Sequence, residues 1–199
     1  AYRLPIHRNW YRATTSHNTV LVDRVSQDGA EGHGELFVHN DALTASVARV
    51  DSAYEGIKHR RMLVLRPDFA VVADVVTGVP GSEHTFDWLY HNVGNGIESG
   101  SAMAEARAPD GQGFEFLEDV RTGATDGPIR ATVSLETDAV DIIVDGQAGS
   151  EIWVATGVGE SILDRVPMVM VTRKGSGARF AAVIEPRKDR EESKVEEVT

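Results

Sequence analysis

The stretch RRMLVLRPDFAVVADVV, residues 60–76, decides the fold. Two runs rich in Val and Leu flank Pro67 and Asp68, and the fixed φ of proline suits the turn position of a hairpin. Runs of the same kind recur on both sides: NTVLVD (18–23), HGELFVH (33–39), TASVARV (44–50), HTFDWLYH (84–91), AMAEARA (102–108), GFEFLED (113–119), IRATVSLE (129–136), DIIVDG (141–146), EIWVATG (151–157), MVMVTRK (168–174) and RFAAVIEP (179–186). Between them lie turn-forming clusters such as GVPGSEH (78–84) and APDGQG (108–113). No segment carries a 3.6-residue apolar stripe over three turns, so the pattern predicts an antiparallel all-β protein, a β-sandwich of two stacked sheets around one large core.

No linker divides the 199 residues convincingly. A single sandwich domain is expected over 1–187, followed by a charged, disordered tail over 188–199. The chain begins at Ala1 rather than at methionine and reads as a piece of something longer. With 20 Lys and Arg against 31 Asp and Glu, the net charge of −11 argues against nucleic acid and against anionic membranes as partners. No window approaches the roughly 18 apolar residues of a membrane span, and AYRLPIHRNW lacks the apolar core of a signal peptide. There is no cysteine, so a transition metal would have to be held by His, Asp or Glu.

Of seven histidines, His17, His33, His59 and His91 fall at or inside β segments. Residues two apart on a strand share a face, which pairs His33 with Glu35 and His59 with Arg61. Zinc held by two His and a carboxylate requires no closer spacing, although a strand histidine is by default a half-buried polar residue. In DWLYHNVG (87–94), Asp87, Leu89 and His91 form one row and Trp88, Tyr90 and Asn92 the other. Trp88 and Tyr90 suit a sugar-binding surface, and equally a sandwich core. SAYEGIKHRR (52–61) offers the phenol of Tyr54 beside Arg60 and Arg61, either a substrate-carboxylate site or ordinary edge-strand charge. TGVGES (156–161) lacks the lysine of a phosphate loop, no GxSxG occurs, TSHN alone makes no Ser-His-Asp triad, and the NTV at Asn18 is no glycan acceptor.

Taken in order, TTSHNTVLVD (14–23), AYEGIKHRRMLVL (53–65), FAVVADVVTG (69–78) and TFDWLYHNVG (85–94) resemble the β-sheet domain of the heparinase II/III superfamily of polysaccharide lyases, which includes oligoalginate lyases. RVPMVMVTRKGSGARFAAVIEP (165–186) is similar to that family's closing strands. The resemblance implies a missing N-terminal α/α-toroid domain, an acidic polysaccharide or oligosaccharide as substrate, alginate or a glycosaminoglycan, and β-elimination at a uronate in a cleft between the two domains. It also implies a periplasmic or secreted protein. It matches His17 to a histidine that reaches the cleft or binds zinc and His59 to a second zinc ligand, with the third near GHGEL (32–36), where His33 or Glu35 is offered. His91 and Tyr54 are then the expected catalytic residues, and Trp88, Tyr90 and Arg60 the substrate contacts; Arg61 and Asp74 read as a strand-to-strand ion pair. The alternative is a non-catalytic module that binds carbohydrate or buttresses a partner domain.

Overall fold

The computed structural model describes residues 4–188 and 191–198. Fourteen strands are named: β1 (Val20–Val22), β2 (Gly32–His39), β3 (Thr44–Tyr54), β4 (Ile57–Leu65), β5 (Ala70–Thr77), β6 (His84–His91), β7 (Gly96–Ser99), β8 (Ala104–Glu105), β9 (Glu118–Thr125), β10 (Ile129–Ser134), β11 (Asp138–Val144), β12 (Ser150–Val158), β13 (Arg165–Gly175) and β14 (Gly177–Lys188). They form two sheets, six strands in the order β1-β6-β13-β12-β9-β8 and eight in the order β2-β3-β4-β5-β14-β11-β10-β7. The strand pairs are antiparallel, and the expected sandwich is the observed one. The Pro67–Asp68 hairpin closes as read, Arg66 N–H donating to the Phe69 carbonyl at 2.9 Å between β4 and β5.

The main core lies between the sheets. Val20, Val22, Phe86, Trp88, Val169 and Val171 from the six-stranded sheet meet Ile57, Val72, Val76, Ile142, Phe180 and Ala182 from the other. A second cluster of Leu21, Leu89, Phe114, Met168 and Met170 covers the opposite face of the six-stranded sheet. That sheet is therefore buried on both faces at β6 and β13, which is why Met168 through Val171 are uninterruptedly apolar rather than alternating. β2 is the contrary case: every residue from Gly32 to His39 is exposed, and Phe37 keeps 73% of its surface in water.

Five segments differ from the sequence reading. GFEFLED is a 3₁₀ turn at Phe114–Phe116, entered through Gly113 at φ +88°, because Phe114 has to turn back onto the second cluster. AMAEARA shortens to the two-residue β8, whereas β7 and β9 went unread because GIES and EDVRTGAT carry too few apolar residues to declare themselves. A single π-helical turn at His7–Tyr11 also precedes the strands, and it exists to bury Trp10.

Beyond β14, residues 191–198 run back along the eight-stranded sheet. The Ser193 hydroxyl (2.6 Å) and the Lys194 backbone N–H (3.0 Å) donate to the buried Glu185 carboxylate. These bonds give a carboxylate removed from water the donors it requires.

Candidate functional site

The site is built at the His91 end of β6. Its starting point is Trp10, whose indole Nε1–H donates to the Val158 carbonyl at 2.9 Å and whose ring lies edge-on to the His91 ring, centroids 6.2 Å apart. Gly157 makes room for it: a Cβ at 157 would sit 2.7 Å from the Trp10 ring. From Trp10 the chain passes through a short 3₁₀ turn at Thr14–Ser16, pinned by the Thr15 hydroxyl donating to the Gln112 carbonyl and the Gln27 N–H donating to Thr14 Oγ1. The turn ends at His17, in extended backbone, and His17 and Asn18 stand exposed before β1 begins.

Asn18 fixes this loop to β6. Its Oδ1 accepts the His91 backbone N–H at 2.7 Å, and its Nδ2 donates to the His91 carbonyl at 3.2 Å, so the side-chain amide takes the place of one more rung of β1. The same Oδ1 lies 3.2 Å from His91 Nδ1 and accepts a hydrogen bond from that ring N–H. His91 Nε2 is then a bare lone pair, buried and, among the described residues, without a hydrogen-bond partner. Burial, and secondarily the neighbouring His17, depress the His91 pKa to about 4, so the ring is neutral at pH 7.

Below the loop, on the core-facing side of β4 and β5, a buried carboxylate ties three side chains together through four N–H donors. Arg61 and Asp74 are cross-strand neighbours in register. Arg61 Nε and Nη2 donate to Asp74 Oδ1 and Oδ2 at 2.7 and 2.8 Å, His59 Nε2 to Oδ1 at 2.6 Å, and Trp88 Nε1 to Oδ2 at 3.0 Å. Burial opposes charge on Asp74, yet the hydrogen bonds from His59 and Arg61 hold its carboxyl below the usual value. The remaining arm of the guanidinium, Nη1, donates to the backbone carbonyl of Asn18.

The expected site residues separate into those this arrangement gathers and those it does not. Asn18 holds the loop that carries His17 against His91, and the Arg61–Asp74 ion pair is present. Trp88 is 1% exposed and belongs to the core, so it offers no sugar platform; Tyr90 stacks on it and is half-buried at 6.2 Å between centroids. Tyr54 is packed against the same core with its hydroxyl buried, and burial pushes its pKa up to about 12. Arg60 points to the opposite face of the sheet from Arg61, as alternation requires, and is paired there with Glu35.

The expected zinc set is likewise not assembled. His33 and Glu35 sit on the exposed edge strand β2, Glu35 in ion pairs with Arg49 and Arg60, while His59 spends its Nε2 on Asp74. Among the described residues, no three His, Asp or Glu side chains are grouped so as to hold a metal. The residues present do not fit zinc. Asn18 and Trp10 were not singled out by the sequence; the position of Asn18 directly after His17, at the mouth of a strand, was the available signal. A cavity of about 460 Å³ bounded by Glu105, Asp119 and Arg121 contains none of these groups, and His17 is exposed.

The neutral His91 has a measurable consequence. Its folded pKa lies below the unfolded value near 6.5, so the unfolded chain takes up the proton first and stability falls as pH drops from 6.5 toward 4. By pH 5 this amounts to about 2 kcal/mol. Urea denaturation of wild type and His91→Gln at pH 7 and pH 5 measures it: the wild type is expected to lose that much more than the variant, and equal losses would show that His91 titrates normally.

The profile of the Heparinase II/III-like, C-terminal family matches residues 1–196. No curated protein matches the chain. Among solved structures, a heparinase III, the BT4657 gene product with methylated lysines, superposes at a TM-score of 0.68 with 20% identity, over 94% of this chain and 26% of that one. A heparan sulfate lyase HepC mutant from Pedobacter heparinus gives 0.63 and 15%, over 94% of this chain and 26% of its own. The chain thus spans about a quarter of the length of these structures.

Proposed function

The chain belongs to the heparinase II/III-like C-terminal family, and from that premise we propose that it is the β-sandwich part of a polysaccharide lyase that cleaves a uronic-acid polymer by β-elimination. The observation that carries the reading is His17: an exposed imidazole at the edge of the sandwich, on a loop held from behind by Asn18, Arg61 and the neutral His91. An exposed group on a rigid support is what proton transfer to a substrate asks of a side chain. In β-elimination the proton at C5 of the uronate leaves to a base, its electron pair forms the C4–C5 double bond, and the C4–O4 bond breaks, with O4 taking a proton. We assign His17 to one of those two proton transfers. The groups that neutralise the uronate carboxylate, and the toroid that would complete the cleft, belong on this reading to the remainder of the enzyme. Heparan sulfate is the first substrate to test, because the structural neighbours are named as a heparinase and a heparan sulfate lyase; alginate is the second.

The test is to incubate the longer enzyme with heparan sulfate, with alginate and with a neutral polymer, following ultraviolet absorbance of the unsaturated product. Absorbance should rise with a uronate polymer only. No rise with any of them would leave the sandwich a non-catalytic, carbohydrate-binding or buttressing module.

A further inference from the structure

We propose that Arg61 is a positioning residue for His17, and that its guanidinium, rather than a metal ion, is the cation that ties β4, β5 and the His17 loop together. This rests on the lyase reading only for its catalytic consequence; the anchoring itself is a property of the fold.

The geometry is that of a three-way clamp. The Arg61 side chain projects from β4, two of its N–H groups fork onto the buried Asp74 of β5, and a third reaches the backbone carbonyl of Asn18, the residue next to His17. A planar guanidinium makes both connections at once; the point charge of a lysine ammonium does not reproduce the fork and the reach together. Asn18, held from below by its carbonyl, is positioned to clasp the His91 backbone with its side chain. Displacing Arg61 therefore frees the backbone beside His17 while leaving the strands paired.

The same contacts leave no room for a metal. Both Asp74 oxygens are taken, by His59, Arg61 and Trp88, and a dication placed against that carboxylate would meet the resident guanidinium. His59, the expected zinc ligand beside Asp74, is thereby a donor to that carboxylate, a role incompatible with the same nitrogen binding metal.

The experiment is Arg61→Lys in the longer enzyme, with two readouts. Amide hydrogen exchange at His91, whose N–H is bonded to Asn18, should quicken by about tenfold, the effect of losing one charge-assisted hydrogen bond from the clamp, while exchange at Val169 and Val171 in the core stays unchanged. kcat on the uronate polymer should fall by about tenfold with little change in KM, because a displaced proton-transfer group affects the reacting state more than binding. Treating the wild type with a chelator should alter neither. Unchanged His91 exchange in the variant overturns the proposal, as does quickened exchange in the chelator-treated wild type, which would make a metal the tie. Quickened exchange that spreads equally to Val169 and Val171 also overturns it, since Arg61 would then be supporting the whole sandwich. If His91 exchange responds as expected but the wild-type enzyme eliminates no uronate polymer, the anchor stands and the lyase reading falls.

Discussion

Asp74→Ala is expected to destabilise the sandwich by about 3–5 kcal/mol, the cost of removing one partner from a buried, hydrogen-bonded charge pair. The size follows from what is left behind. His59 Nε2 and Trp88 Nε1 lose their acceptor inside the core, and the Arg61 guanidinium, only partly open to water, loses its counter-ion. Asp74→Asn keeps the volume but carries no charge and supplies a single acceptor oxygen for four donors, so it should recover only part of the loss. The pH dependence has a definite sign: the folded carboxyl titrates below the ordinary value of 3.8, so its stabilisation is present above that value and is lost as pH falls through the folded pKa. Urea denaturation at pH 7 measures the effect, and a loss under about 1 kcal/mol would mean that the four donors find other partners without Asp74.

The sandwich was legible because its strands announce themselves locally. Val71 to Val76, flanked by Pro67 and Asp68, carry enough β-forming residues and turn chemistry to be read without knowing what they pack against. The same logic failed where partners decide the conformation: Phe114 turns because a second apolar cluster awaits it on the far face of β6 and β13, and no pattern within GFEFLED encodes that cluster. At the site, alternation placed His59 and Arg61 on one face correctly, and the ion pair to Asp74 followed from the pairing of their strands. It could not tell that this face is the buried one, which left open whether Trp88 meets sugar or fills the core and did not weigh against the zinc role that the resemblance implies for His59. Burial of Tyr54 and Trp88 and the outward turn of Arg60 are consequences of how the two sheets stack, which is a tertiary fact. His17 is not distinguished by its own neighbourhood, where it reads as an ordinary polar residue at a strand start; only the order of SHNT, His59, Arg61 and DWLYH along the chain points to it.

The second large effect, which follows from the proposed lyase reading, is on catalysis. His17 is exposed, and the bonds that fix its loop belong to Asn18, Thr15 and Ser16. Replacing it by alanine should therefore leave the melting temperature within about a degree of wild type, as for exposed substitutions generally. A positioned general acid or base contributes about 10²–10⁴ in rate, and His17→Ala should remove that contribution from kcat. The measurement is the steady-state rate of unsaturated-product formation from heparan sulfate by the longer enzyme, wild type against His17→Ala. A fall in kcat of about a hundredfold or more in a variant that melts like the wild type is the predicted result; a rate within about twofold of wild type would contradict the claim that the sandwich supplies a proton-transfer group to the reaction.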